Sequence, residues 1–198
     1  RNAAGRVEEA RQRVGDLLAR KEGARRFAVL YVDVDQLHLV NENFGMHVGD
    51  LMLAMLDAEV AAWQAADPAT PVKPALHVIG VVARPEPGAD GKYRGRMADT
   101  LIERVARWAA TRDALVFIDL QIGHSTLQEE LPRLAHFFRR PNVHLGIDPE
   151  FAMRLGGVPG QRIGTYDAED INYAVRFLSE IAREANVPPK ILVIHRFT

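Results

Sequence analysis

The chain contains no cysteine. Disulfides, thiolate metal sites and a cysteine nucleophile are thereby excluded, while the redox compartment is left undecided. A surplus of one charge is also missing. The 25 Lys and Arg stand against 26 Asp and Glu, so no net field steers the whole molecule onto nucleic acid or an anionic membrane. No apolar run approaches the roughly 18 residues that a membrane span needs, and the first residues carry no apolar segment preceded by positive charge. The reading is a soluble chain with no membrane span and no nucleic-acid partner. It opens on Arg1 rather than Met, which fits a processed or excised start; localisation is open, extracytoplasmic if an export signal was removed.

What is present fits one domain. A chain of 198 residues buries near 70% of its unfolded surface, enough for a substantial core. Residues 1–22 form an N-terminal amphipathic helix in this reading, because Val7, Ala10, Val14, Leu17 and Leu18 fall on one stripe. Residues 23–198 then read as a single β/α domain. Apolar runs rich in β-branched and aromatic residues predict strands at 27–32, 76–82, 114–120, 143–147 and 191–194. Helices are predicted over 51–66, from Asp99 as cap to about 111, over 126–138 after Ser125 or Thr126, and from Asp167 to about 186.

Short apolar strands alternating with longer helices imply parallel β/α repeats, with helices on both faces of the sheet. Two architectures follow: a TIM-barrel-like sheet, incomplete at this length, or a five-stranded doubly wound sheet. The chain stops directly after a strand, at His195-Arg196-Phe197-Thr198, which reads as truncation of a barrel.

In either architecture chemistry gathers where strands end. The predicted strands end in Asp33 and Asp35, in Asp119 and Gln121, in Asp148 and Glu150, and in His195. Residues two apart on a strand point to one side, so each pair can converge on a pocket. His77 lies near the start of its predicted strand, at the wrong edge. Pro149 fixes one φ angle between Asp148 and Glu150 and leaves Asp148 extended, which makes these two the leading catalytic carboxylates, with Asp119 beside them. Asp33, Asp35, Gln121, Arg94 and His195 are the substrate-binding candidates; Arg94 follows a turn, where it can meet an anionic group. Paired carboxylates serve as acid and base without a cofactor, whereas Asp33, Asp119, Asp148 and Glu150 as oxygen ligands would take Mg²⁺ or Mn²⁺.

From about residue 71 onward the chain resembles a group of uncharacterised bacterial, often lipoprotein-like, TIM-barrel proteins related to glycoside hydrolases. The likeness rests on the run from Pro87 to Arg94, on Ile118-Asp119-Leu120-Gln121-Ile122-Gly123 and on Asp148-Pro149-Glu150-Phe151. It continues through Pro159-Gly160, Ile163-Gly164, Ile171-Asn172, Pro188-Pro189-Lys190 and His195 to Thr198. It covers nearly two thirds of the chain and implies a barrel, with a small-molecule or carbohydrate ligand. Residues 27–53, with Asp33-Val34-Asp35, Asn41-Glu42, Gly45, His47 and Gly49-Asp50, resemble the opening of a GGDEF-type diguanylate cyclase domain. The hairpin that names that family does not follow, so cyclase activity is not expected. The expectation is a hydrolase of a carbohydrate-type substrate using strand-end carboxylates. The alternatives are a divalent-metal-dependent phosphodiesterase-like enzyme and a non-catalytic binding module on the same scaffold.

Overall fold

The computed structural model describes the backbone of residues 28–33 and residues 48–195, save the side chains of 48 and 51. The predicted helix over residues 1–22 lies outside the described residues, as does Asp35. Strands β1 (Ala28–Asp33), β2 (Val72–Ala83), β3 (Arg94–Arg96), β4 (Leu115–Leu120), β5 (Val143–Ile147) and β6 (Leu192–Ile194) form one sheet. Between them come helices α1 (Val48–Ala66), α2 (Asp99–Ala110), α3 (Leu127–Glu130), α4 (Ala135–Phe138) and α5 (Ala168–Glu184).

The five long-range strands run parallel in the order β1-β2-β4-β5-β6, and β3 folds back antiparallel on the end of β2. The order follows the chain without reversal, so the crevice that a doubly wound sheet opens at its reversal point has no counterpart. The sheet is open, with β1 and β6 at its two edges among the described residues; it does not close into a barrel.

Alternation along the strands sorts their side chains. Leu76, Val78, Val116, Ile118, Leu120, Val143, Leu145 and Ile147 join one core with Leu53 and Leu56 of α1, Ile102 and Val105 of α2, Leu127 of α3, Phe137 and Phe138 of α4, and Leu178 and Ile181 of α5. Every described helix thus packs on the same face, which corrects the expectation of helices on both. The opposite face carries the intervening residues: His77, Ile79, Phe117, Asp119, His144 and Gly146. Polar groups on a sheet face buried to this degree must find partners there.

Three local departures from the predicted elements have physical causes. Strand β2 begins four residues early because its parallel pairing with β1 runs from Ala28↔Val72 to Asp33↔His77. The helix expected over 126–138 breaks into α3, a 3₁₀ turn at Pro132–Leu134, and α4; Pro132 has no N–H and its ring crowds the preceding turn. Thr126, not Ser125, is the cap, accepting from Glu129 N–H. The turn-rich stretch after β2 is a hairpin, Gly88 and Gly91 taking the positive φ values of its tip.

Candidate active site

The middle of β2 and the C-terminal ends of β4, β5 and β6 bring four titratable side chains, His77, Asp119, Asp148 and His195, into one line on the face away from the helices. Asp119, the fifth residue of β4, is fully buried. It accepts from Leu120 N–H (2.9 Å) and lies 2.9 Å from His77 Nε2 and 3.3 Å from His195 Nε2. The other ring nitrogen of His195, Nδ1, is 3.4 Å from Asp148 Oδ1. Gln121 completes the line, donating to Asp148 Oδ2 at 3.0 Å while its Oε1 accepts from Ala83 N–H.

The backbone explains why these side chains meet. Beyond the strands the ladder continues: Gln121 N–H donates to Val81, Asp148 N–H to Leu120 and His195 N–H to Ile147. Each exit is therefore held beside its neighbour. Asp148 has the extended backbone predicted from Pro149, and a 3₁₀ turn, Pro149–Phe151, follows. Gly146 sits opposite Asp119 in register. A Cβ there would lie 2.7 Å from Asp119 Oδ1 and 2.9 Å from its Cγ; only glycine leaves room for the carboxylate against β5.

Burial separates the roles. The side chain of Asp119 is 1% exposed and that of Asp148 8%, whereas that of His195 is 31% exposed. His195 is the member of the line presented to solvent, with a buried carboxylate on each ring nitrogen. Burial, reinforced by the charge of Asp119, pushes the Asp148 carboxyl up to about 6. Tyr166 stands near: among the described residues its buried Oη has no hydrogen-bond partner. Burial raises its pKa first, and the charges of Asp170, Asp119 and Asp148 add to the effect.

The predicted site residues divide accordingly. Asp119, Gln121, Asp148 and His195 come together. Asp33 ends β1 in register with His77, its side chain lying outside the described residues. Glu150 does not join: among the described residues its carboxylate makes no hydrogen bond or ion pair with the line, and its charge acts on Asp148 only weakly. Its backbone carbonyl accepts from Gly164 N–H and anchors the following loop.

Arg94 is placed elsewhere altogether. It is buried, with Nε 2.8 Å from Glu130 Oε1 and Nη1 2.7 Å from Asp90. Arg96 Nε reaches the second Glu130 oxygen at 2.8 Å, Ser125 donates to the first, and Lys92 pairs with Glu129. Burial alone would raise the Glu130 carboxyl, but bonds from Arg96, Ser125 and Arg94 hold it below its ordinary value. This cluster clasps the β2–β3 hairpin to α3, and Arg94 spends its Nε, Nη1 and Nη2 on Glu130, Asp90 and Glu129 rather than on the line of Asp119 and Asp148.

His77 is the functional candidate that the sequence reading set aside. Its place near the start of the predicted strand hides this, because β2 is longer than its apolar run and His77 falls mid-strand. The usable signal was its polar character on an otherwise apolar strand, five residues before the end of that run.

His77, Asp119 and His195 each offer one ligand atom, and the three atoms lie within 4.8 Å of one another. Two imidazoles and a carboxylate are a donor set for a divalent transition-metal ion. That set differs from the all-oxygen one expected for Mg²⁺ or Mn²⁺, which needed Asp33, Asp148 and Glu150 with Asp119. Among the described residues no helix is long and apolar enough to cross a membrane. Compared with profiles of protein families, with curated proteins and with solved structures, the chain matches none, so the functional reading rests on this geometry.

Proposed function

We propose that the chain is a hydrolase that activates water at the Asp119–His195–Asp148 line. The observation that carries this reading is the bridging of two buried carboxylates, from adjacent strand exits, by one partly exposed imidazole. Such an arrangement holds a proton-transfer group in a fixed orientation next to solvent. Asp148, held by Gln121 and His195, handles the proton; His77 orients Asp119, and Gly146 keeps the space for it. The parallel strands wound in chain order, with helices on one face, are the arrangement of an arc of a β/α barrel, whose sites gather at strand exits. That supports the TIM-barrel-like, glycoside-hydrolase-related resemblance, and with it a carbohydrate-type substrate.

The test is a panel of aryl glycosides and aryl phosphodiesters hydrolysed by the purified chain and by Asp148→Asn and Glu150→Gln. Loss of a positioned acid or base removes about 10²–10⁴ in rate. The Asp148 variant is expected to lose at least 100-fold with its melting temperature retained, and the Glu150 variant to keep its turnover. Full activity in Asp148→Asn refutes the reading. Turnover of phosphodiesters alone would replace the carbohydrate assignment by the phosphodiesterase one, and the absence of any turnover on the panel would leave a binding module.

A further inference from the structure

We propose that the same site holds one divalent transition-metal ion of the zinc type, bound by His77, Asp119 and His195, with Asp148 as the outer partner of His195. The inference rests on the hydrolase reading only for its consequence; the metal site itself stands on the geometry of the side chains.

Four observations converge on it. First, the donor set is two imidazoles and one carboxylate, the composition of three-ligand sites that keep a coordination position open for water. Second, the spacing is close to what one ion needs. Ligand atoms at about 2.0–2.2 Å from a tetrahedral centre stand roughly 3.3–3.6 Å apart; the Asp119 carboxylate lies 2.9 Å from His77 Nε2 and 3.3 Å from His195 Nε2. The rings of His77 and His195 are stacked 5.9 Å apart at 27°, each with its Nε2 toward the same Asp119 oxygen, and the third side of the triangle is within 4.8 Å.

Third, the two nitrogens of His195 are assigned different partners. Its Nε2 addresses Asp119 inside the cluster, and its Nδ1 addresses Asp148, which Gln121 in turn holds. A metal-binding histidine characteristically donates its second N–H to a carboxylate, which fixes its tautomer and ring orientation. The side-chain chain Gln121–Asp148–His195 has that form. Fourth, the buried Tyr166 Oη has no hydrogen-bond partner among the described residues, and the charges of Asp170, Asp119 and Asp148 act on it in that order. A water or hydroxide on the open position of an ion in this site would give that hydroxyl a partner.

The ligands come from the middle of β2, the end of β4 and the exit of β6, strands that one sheet holds in fixed order with β5 between the last two, so the ion needs no induced fold. An ion with nitrogen donors is of the zinc, cobalt or iron class rather than magnesium, which prefers oxygen and near-octahedral geometry. Bound there, it would lower the pKa of a coordinated water and supply the nucleophile that the proposed hydrolase needs.

The experiment uses the whole chain, stripped with a chelator, dialysed, and titrated with ZnCl₂ by calorimetry. Co²⁺ is added in parallel, to read the visible bands of a four-coordinate site. One equivalent is expected, with a sub-micromolar Kd. His195→Gln, at a partly exposed position that spares the fold, and His77→Gln are each expected to weaken binding at least 100-fold. Asp148→Asn should weaken it 10- to 100-fold, and Glu150→Gln should stay within twofold. Circular dichroism checks that each variant is folded.

Wild-type protein that binds neither ion, or a folded His77→Gln/His195→Gln double variant that still binds one equivalent within threefold of wild type, overturns the site. The two readings fail separately. Hydrolysis that survives chelation, with no zinc bound, overturns the metal and leaves the acid–base hydrolase. Stoichiometric zinc binding lost in the histidine variants supports the metal whatever the substrate panel returns.

Discussion

Replacing Gly146 by alanine tests the packing on which the site depends. The added Cβ would stand 2.7 Å from Asp119 Oδ1 and 2.9 Å from Cγ, inside van der Waals distance on a side chain that is fully buried. The carboxylate must turn away from β5, and it then gives up some of its bonds to Leu120 N–H, His77 and His195. Hydrogen bonds to a charged group contribute about 1.5–3 kcal/mol each, so losing one or two costs about 2–5 kcal/mol. Alanine in a strand interior recovers only about 0.5–1 kcal/mol over glycine, and the clash therefore wins. For a chain of this size each kcal/mol moves Tm by about 2–4 °C, so a drop of roughly 5–15 °C is expected in a thermal melt followed by circular dichroism. The decisive control is the same substitution in an Asp119→Ala background, where the obstructing carboxylate is gone. There Gly146→Ala is expected to be close to neutral, giving a coupling of at least about 1.5 kcal/mol in the double-mutant cycle. An equal loss in both backgrounds, or no loss in the first, would refute the claim that Gly146 is kept for Asp119.

His144 supplies a pH prediction. It is buried, it accepts Ile191 N–H at Nδ1 (3.1 Å), and burial, with Lys190 adding to it, pushes its pKa down to about 4. The folded value is depressed below the ordinary 6.5, so its contribution to stability is present above pH 6.5 and is lost as pH falls from 6.5 toward 4. Full expression of that shift removes about 3 kcal/mol, and His144→Gln should flatten this part of a urea-denaturation profile; an unchanged slope would exclude His144 as its source. Glu130→Ala leaves buried Arg94 without its principal partner and is expected to cost about 3–5 kcal/mol. The Arg94→Met/Glu130→Leu pair should cost clearly less, and chemical denaturation of both decides whether the clasp matters through charge balance.

Much of the frame was legible in the sequence because it is local. Runs of four to seven apolar residues announced the five parallel strands, Asp167 announced the N-cap of α5, and Pro149 set the extended backbone of Asp148. Strand ends also mark Asp119, Gln121, Asp148 and His195. None of these needed a partner distant in the chain, since propensity, capping and alternation act over a few residues.

What remained was decided by pairing between strands far apart in sequence. Whether His77 belonged to the site depended on how far β2 extends, and that is set by its register with β1 and β4. Arg94 looks like an anion binder on a loop until α3 brings Glu130 to within 2.8 Å. Glu150 differs from Asp148 by two positions, yet the 3₁₀ turn after Pro149 carries its carboxylate out of the line. Gly146 shows no purpose until Asp119 faces it across 27 residues of chain. Sequence by itself determined which residues could do chemistry; only the tertiary structure decided which of them share a space, because sheet register is a property of pairs of strands.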